Sequence, residues 1–518
     1  MIDVYGYAPA LRRIVRAARV IGVTAVLASC IHNPPDVDGK PSAPTAPNQF
    51  WTPPRKAVIP DSVPTLALPP DIAERVQALT LPNVIEIGLS TNPLTRQSYA
   101  EARAAGAAIG SAYGKYLPQL NVGVTGERES SRSGVQSTGT SPGTGGTGTG
   151  TGGGTTVRSS GTNSLLIPDA SASWLLFDFG RSSAFEFAKQ GAFAASFTHN
   201  ATVQNVVLAL EQAYFNYNSA KAVATADSLT VKEDSVNLAS ATARHAAGVA
   251  TISDVLQAQT TLSQQVLQLE TDQGSVQTTR GSLAVAMGFP ANLSYDIRAE
   301  PPDVPIQGIA ASVDSLVSEA VRSRPDLASF RAQAAQARAN IGVIRGQGLP
   351  SLSLTGSDNY VFANPSSLNG NSYVASVGLS FPLFQGFQNA YNLLQAHELA
   401  KAQAANAEYQ RDLVVDQVFT SYYNLRTATA RVRSSDDLLH SAQANYDVAI
   451  GKYKQGVGNI LDVVTAQAAL ASARSQAAQA RWTWYSDLAQ LSHDAGVLGI
   501  HGETQIPLRA DSTGATPR

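Results

Sequence analysis

Two periodicities take turns along this chain, and each occurs twice. Leu120, Val122 and Val124 interleave with Asn121, Gly123 and Thr125, and Ala170, Ala172, Trp174 and Leu176 alternate with Ser171, Ser173 and Leu175. The period of two returns at Leu352 and Leu354. It is clearest where Tyr373, Ala375, Val377, Leu379 and Phe381 alternate with Val374, Ser376, Gly378 and Ser380. One apolar and one small or polar face over ~9–11 residues suits an outer-membrane barrel strand. The alternative is a soluble sheet with one wet face.

Before each strand pair lies an Ala-, Arg- and Gln-rich stretch, residues 98–116 and 326–345, which predicts a helix. Both stretches stop at Leu-Pro (Leu117-Pro118, Leu349-Pro350), where proline removes a donor and restricts the residue before it. After Phe177-Asp178-Phe179-Gly180 and Phe384-Gln385-Gly386-Phe387 come long helical patterns, free of proline over residues 182–245 and 388–490. At ~1.5 Å per residue the first would be roughly 95 Å long, too long for a globular core but suited to a coiled coil or helical barrel. Alanines at 184, 188, 192 and 195 permit close helix contact. Short turns around Gly248 and at Gly456-Val457-Gly458 reverse the chain, and helical patterns return through Met287 and through about His493.

The two halves share one frame. Gly248 matches Gly456 and Asp254 matches Asp462 at an offset of 208 residues, as do Tyr214/Tyr422, Ala258/Ala466 and Gln259/Gln467. The two Leu-Pro pairs stand 232 residues apart, so the first copy carries about 25 extra residues. Between the first two alternating stretches lies a Gly-, Ser- and Thr-rich segment at residues 130–164. With no Gly-Lys-Ser/Thr and no strand-to-helix context, it predicts a solvated loop rather than a phosphate cradle.

The N-terminus carries Arg12, Arg13, Arg16 and Arg19, a short apolar run from Val20 to Leu27, and then Leu27-Ala28-Ser29-Cys30. This resembles a bacterial lipobox, and Cys30 is the single cysteine. Cleavage before Cys30 would free it for diacylglycerol attachment, and by resemblance to proteobacterial lipoproteins Ile31, in place of Asp, implies sorting to the outer membrane. Prolines then crowd residues 33–70, as in an extended strap. The expected organisation is a signal peptide (1–29), a lipid-anchored strap (30–81), a first repeat (82–295) containing the loop (130–164), a linker (296–312), a second repeat (313–495) and a tail (496–518).

Charged residues make up 15% of the chain and the net charge is −2, which argues against nucleic acid as a partner. No run of ~18 apolar residues follows residue 30, so membrane insertion has to use strands. The seven histidines are scattered without ligand spacing, and there is no Gly-x-Ser-x-Gly element. We expect no enzyme, no metal and no cofactor. Trp482, Trp484 and Tyr485 are expected to pack internally.

With the duplicated helix–strand–strand–helix–turn–helix order and the tips Gly248-Val249-Ala250-Thr251-Ile252-Ser253-Asp254-Val255 and Gly456-Val457-Gly458-Asn459-Ile460-Leu461-Asp462-Val463, the chain resembles the TolC-like outer-membrane factors. The resemblance covers roughly residues 82–495. It implies an α+β membrane protein: a long antiparallel α-helical barrel joined to a transmembrane β-barrel to which each protomer gives four strands. Four strands cannot close a barrel; two chains would supply eight and three would supply twelve. The family implies the homotrimer.

By the same resemblance the protein is expected to be the exit duct of a tripartite efflux system, lipid-anchored in the outer membrane with its helices in the periplasm. Its partners would be a periplasmic adaptor (membrane fusion) protein and an inner-membrane RND, ABC or MFS pump. A type I protein-secretion duct and a non-conducting structural lipoprotein are the alternatives. Adaptor contact is expected at Gly248, Val249, Ala250, Gly456, Val457 and Gly458, small or apolar tip residues whose glycines also serve the reversal itself.

A periplasmic gate is expected at Asp254, Tyr453, Asp462 and Thr465. By family register Tyr453 would hydrogen-bond Asp254, with Gly458 at the position of the family's arginine; packing of Tyr453 against its helix neighbours is the alternative. Asp462 would face the pore mouth. Thr465 stands where the best-known member has a second acid, so cation attraction would be weaker. Both aspartates also suit a helix first turn, near the N-caps Thr251, Ser253 or Asn459.

Overall fold

A computed structural model describes residues 36–37, 40–41, 46–50, 79–132, 160–292, 295–297, 311–364 and 369–499. Helices α1 (Leu81–Thr91) and α2 (Pro93–Gly114) precede strands β1 (Gln119–Arg132) and β2 (Ser160–Asp178). The long helices α3 (Arg181–Ala246) and α4 (Ile252–Ala286) follow. The second copy repeats this order with α5 (Val313–Ser323), α6 (Pro325–Gln347), β3 (Ser351–Asn364), β4 (Gly370–Ser380), α7 (Gln388–Lys454) and α8 (Ile460–Asp494). Cys30 and most of the strap, loop interior, linker and tail lie outside the described residues.

The chain divides into two units, one comprising residues 1–110, 186–338 and 398–518, the other residues 111–185 and 339–397. In the second unit an antiparallel sheet runs β1-β2-β3-β4. Its register stacks Leu120 on Ala172, Trp174 on Leu354, Leu354 on Val377 and Leu352 on Leu379. The alternating residues of all four strands therefore share one face. A bulge between Leu175 and Phe177 slips the register by one residue, which brings Phe177 opposite Leu352 and keeps it on that face. The reverse face holds Asn121, Ser171, Ser353, Thr355 and Ser376, with Thr355 Oγ1 and Ser376 Oγ 2.8 Å apart.

The apolar face is bare: Leu120, Val122, Val377 and Leu379 are all more than three-fifths exposed. Among the described residues no helix is long and apolar enough to cross a membrane.

The expected loop at 130–164 is shorter than its composition suggests. Ser130, Ser131 and Arg132 pair with Thr162, Gly161 and Ser160, because ladder hydrogen bonds extend the strands through residues of low strand propensity. Leu79, in the expected strap, and Leu498, in the expected tail, pack into the core of the helical unit.

In that helical unit the halves build two matching cores. Ile85, Ile87 and Leu89 of α1 pack with Val207, Leu210 and Tyr214 of α3, Leu283 of α4 and Trp482 of α8. Leu316 and Ala320 of α5 pack with Val418 and Leu425 of α7 and Trp484 and Leu491 of α8. Tyr485 touches both cores, and Trp484 Nε1 donates to Thr429 Oγ1 at 3.0 Å, so the Trp–Tyr cluster serves packing. Short helices α1 and α5 went unread in the sequence. Each begins after a hydroxyl residue (Thr80, Ser312), of which Ser312 caps its helix through its side chain, and ends before a proline (Pro93, Pro325), again 232 residues apart.

Three carboxyl groups line the buried side of α3. Burial pushes Glu211 up to about 8. Burial, then the hydrogen bond and charge of Asp272, raises Asp227 to about 7; burial, then Glu233, raises Asp234 to about 6. The native state thus holds more protons than the unfolded chain between the ordinary carboxyl range and these values, so stability falls as pH rises through that window. We expect the thermal midpoint in detergent to drop from pH 5 to pH 9. Glu211→Gln should raise it by a few degrees at pH 9 and leave it nearly unchanged at pH 5. A flat profile in the native protein would refute this.

Candidate functional site: the two helical hairpin tips

Both long helices end in the same way for the same reason. A helix leaves its last carbonyls unpaired, and a left-handed residue lets the following amides fold back to meet them. Gly248 (φ 74°) and Gly456 (φ 76°) are those residues. Val249 N–H donates to the Arg244 carbonyl at 3.0 Å and Gly248 N–H to that of His245 at 2.9 Å. Val457 and Gly456 repeat the pattern on Lys452 and Tyr453 at 3.1 and 3.0 Å. An L side chain at either glycine would be strained even though space surrounds Gly248.

The return helices are capped at once. Thr251 Oγ1 accepts from Asp254 N–H at 3.2 Å, and Thr251 N–H donates to Asp254 Oδ2 at 3.0 Å, a complete capping box. On α8 the Asn459 side chain accepts from Leu461 N–H at 3.0 Å. Asp462 and Thr465 follow on one exposed face, while Val463 and Ala466 face inward. Val249, Ile252, Leu256, Val457 and Leu461 stand exposed at the tips, a concentration of apolar surface on otherwise polar hairpins.

Within the chain the expected Tyr453–Asp254 hydrogen bond is not made. Tyr453 is buried and its Oη has no hydrogen-bond partner among the described residues, while the Asp254 carboxylate is occupied by its own helix cap. Burial raises the phenol's pKa; Arg244 opposes the shift and Asp254 adds to it, so all three groups sense one another. The contact that forms is one the sequence reading missed. The Arg244 guanidinium lies 4.7 Å from the centre of the Tyr453 ring, and its Nη1 donates to the Lys454 carbonyl at 3.4 Å. The arginine is thus on the first hairpin, and Gly458, whose Cβ would sit 2.9 Å from that of Lys452, has no room for one.

Further contacts tie α3 to the second hairpin. Asn237 Nδ2 donates to Tyr446 Oη at 3.4 Å. Glu233 receives Arg474 through both oxygens (2.8 and 3.1 Å) and Gln467 Nε2 at 3.0 Å, and Ser475 Oγ donates to Asp227 Oδ1 at 3.2 Å. The Glu233–Arg474 pair is largely shielded from water, where a bidentate ion pair gains most.

The family model for outer membrane efflux protein matches residues 84–289 and 316–497. Protein CyaE of Bordetella pertussis is 28% identical over 419 residues, covering 79% of this chain and 82% of its own. Outer membrane protein TolC of Escherichia coli is 24% identical over 444 residues, with 82% and 83% covered. Among solved structures, the outer membrane protein VceC of Vibrio cholerae superposes with a TM-score of 0.66 at 17% identity, covering 80% of this chain and 96% of its own. The CmeC outer membrane channel of Campylobacter jejuni gives 0.66 at 16% identity, with 85% and 94% covered. These two share the fold.

The tip geometry sets a local expectation. Gly248→Ala and Gly456→Ala should each weaken their tip by about 1–2 kcal/mol, and Thr251→Ala by about 1 kcal/mol. Hydrogen exchange of the Val249, Val457 and Asp254 amides, which make these caps, reads this directly; unchanged protection in all three variants would contradict the assigned caps.

Proposed function

The chain belongs to the outer membrane efflux protein family, and on that premise we propose that it is the outer-membrane exit duct of a tripartite efflux system. It conducts small molecules passively from a periplasm-spanning pump to the exterior. The observation that carries this reading is the sheet: four strands with a bare apolar face, a polar reverse face, and outer edges on β1 and β4 that have no partner among the described residues. Backbone groups on such edges cannot be left open in hydrocarbon, so neighbouring copies must pair with them. Three copies make a twelve-stranded barrel, and their α3–α4 and α7–α8 hairpins make the periplasmic tunnel. A strut without conduction would need neither the apolar face nor the polar one behind it.

Cys30 carries the lipid that anchors the N-terminus, and the tips receive a periplasmic adaptor. The exposed Val249, Ile252, Val457 and Leu461 support the second statement. An inner-membrane RND, ABC or MFS pump selects the cargo. A polypeptide-secretion duct would use the same tube and differ in the pump that co-purifies. At the periplasmic mouth, Asp462 from each copy attracts cations, and Arg244 stacked on Tyr453 holds the second hairpin to the first.

Planar-bilayer recording tests duct against strut: discrete single-channel steps are expected, and their absence from correctly assembled protein would end the proposal. Arg244→Ala should raise the conductance of the resting channel, because it removes a stacking contact worth about 0.5–2 kcal/mol. Tyr453→Phe, which keeps the ring, should not. The opposite ranking would assign the latch to the phenol hydroxyl.

A further inference from the structure

Residues 46–50, inside the strap expected at 30–81, are seated on the helical unit. Ala46 is 3% exposed, and Phe50 packs against the core built by α1, α3 and α4. Between them Gln49 N–H donates to the Ala46 carbonyl at 3.2 Å, a tight turn. The Gln49 carbonyl lies 3.0 Å from His199 Nε2 on α3. His199 is fully buried, and its other ring nitrogen lies 2.9 Å from Ser98 Oγ on α2.

The chemistry of this relay is fixed by its acceptor. A ring nitrogen facing a carbonyl has to carry the proton, so Nε2 donates. Burial lowers the imidazole pKa, opposed in part by the Gln49 hydrogen bond, so the ring is neutral and Nδ1 is a bare acceptor for the Ser98 hydroxyl. The Thr95 carbonyl, 3.1 Å from Ser98 Oγ, competes with Nδ1 for the hydroxyl's single proton. Removing the strap would leave a buried N–H without its acceptor, a cost of about 1–3 kcal/mol. Histidine at a fully buried position between two helices is otherwise costly, and the strap carbonyl is what satisfies it.

We infer that Ser98 and His199 form a dock for the N-terminal strap, holding it to the body through the Gln49 carbonyl independently of any lipid. The tether is then only the chain from Cys30 to Gln49. Its 19 peptide units span at most roughly 65 Å at full extension, which bounds the distance of an acylated Cys30 from His199. That bound rests on the proposed acylation; the dock does not.

Chymotrypsin nicking after Phe50, followed by intact mass on the full-length protein in detergent, tests the dock. The native protein should be cut slowly, and His199→Ala faster by about tenfold or more. His199→Gln, whose amide can still donate to the carbonyl, should recover most of the protection. Cys30→Ser should be cut as slowly as the native protein. Native-rate cutting of folded His199→Ala would overturn the proposal, and so would acceleration in Cys30→Ser equal to that in His199→Ala. If His199→Ala does not fold, Ser98→Ala replaces it: cutting a few-fold faster supports the dock, and no change overturns it. A native mass without acyl chains would remove the distance bound and leave the dock standing.

Discussion

A backbone amide in hydrocarbon has no water to fall back on, and every feature of the strand-bearing unit follows from that. Its four strands satisfy one another internally and leave two edges over. One face is apolar from β1 to β4, so the sheet cannot rest in water either. Copies of the same chain and a surrounding bilayer answer both needs together. The bulge before Phe177 shows how closely the face is kept: without that one-residue slip, Phe177 would turn to the polar side.

The helical unit faces a different problem. Toward the tips the inward positions of α3 and α7 become small or polar: past Val223, α3 buries Asp227, Thr230, Asp234 and Ala241, and past Val432, α7 buries Ser435, Ala442, Ala449 and Tyr453. Polar contacts accompany them there. Glu233 with Arg474, Asn237 with Tyr446 and Arg244 with Tyr453 follow one another down α3 toward the tip, each reaching the second hairpin. Such contacts specify register and can be broken singly. The buried carboxyls of the same helix add a dependence on pH that an apolar seam would not have.

Much of this was legible in the chain. Period-two alternation marked all four strands, proline-free stretches marked the long helices, and Gly248 and Gly456 marked the reversals. Three things were not legible, each for a physical reason. Helices α1 and α5 are only 11 residues long, too short for a helical period to stand out, and the prolines that follow them are the first residues of α2 and α6. The strand ends at Ser130–Arg132 and Ser160–Ser164 look like loop, because backbone pairing and not side-chain preference keeps them extended. Arg244 carries no signal of its own beyond a base near a helix C-terminus, and its partner Tyr453 lies on another hairpin, beyond the reach of helical spacing. The His199–Gln49 contact was hidden in the same way, since its partner is a backbone carbonyl and carries no sequence signal.

The central claim is that the apolar sheet face meets lipid and the opposite face meets water. Spin labels placed singly at Val122, Val377, Thr125 and Ser376 in liposome-reconstituted protein measure this by their access to oxygen and to a water-soluble relaxant. Labels at Val122 and Val377 should favour oxygen, and those at Thr125 and Ser376 the aqueous reagent. Equal aqueous access at all four positions would contradict the account.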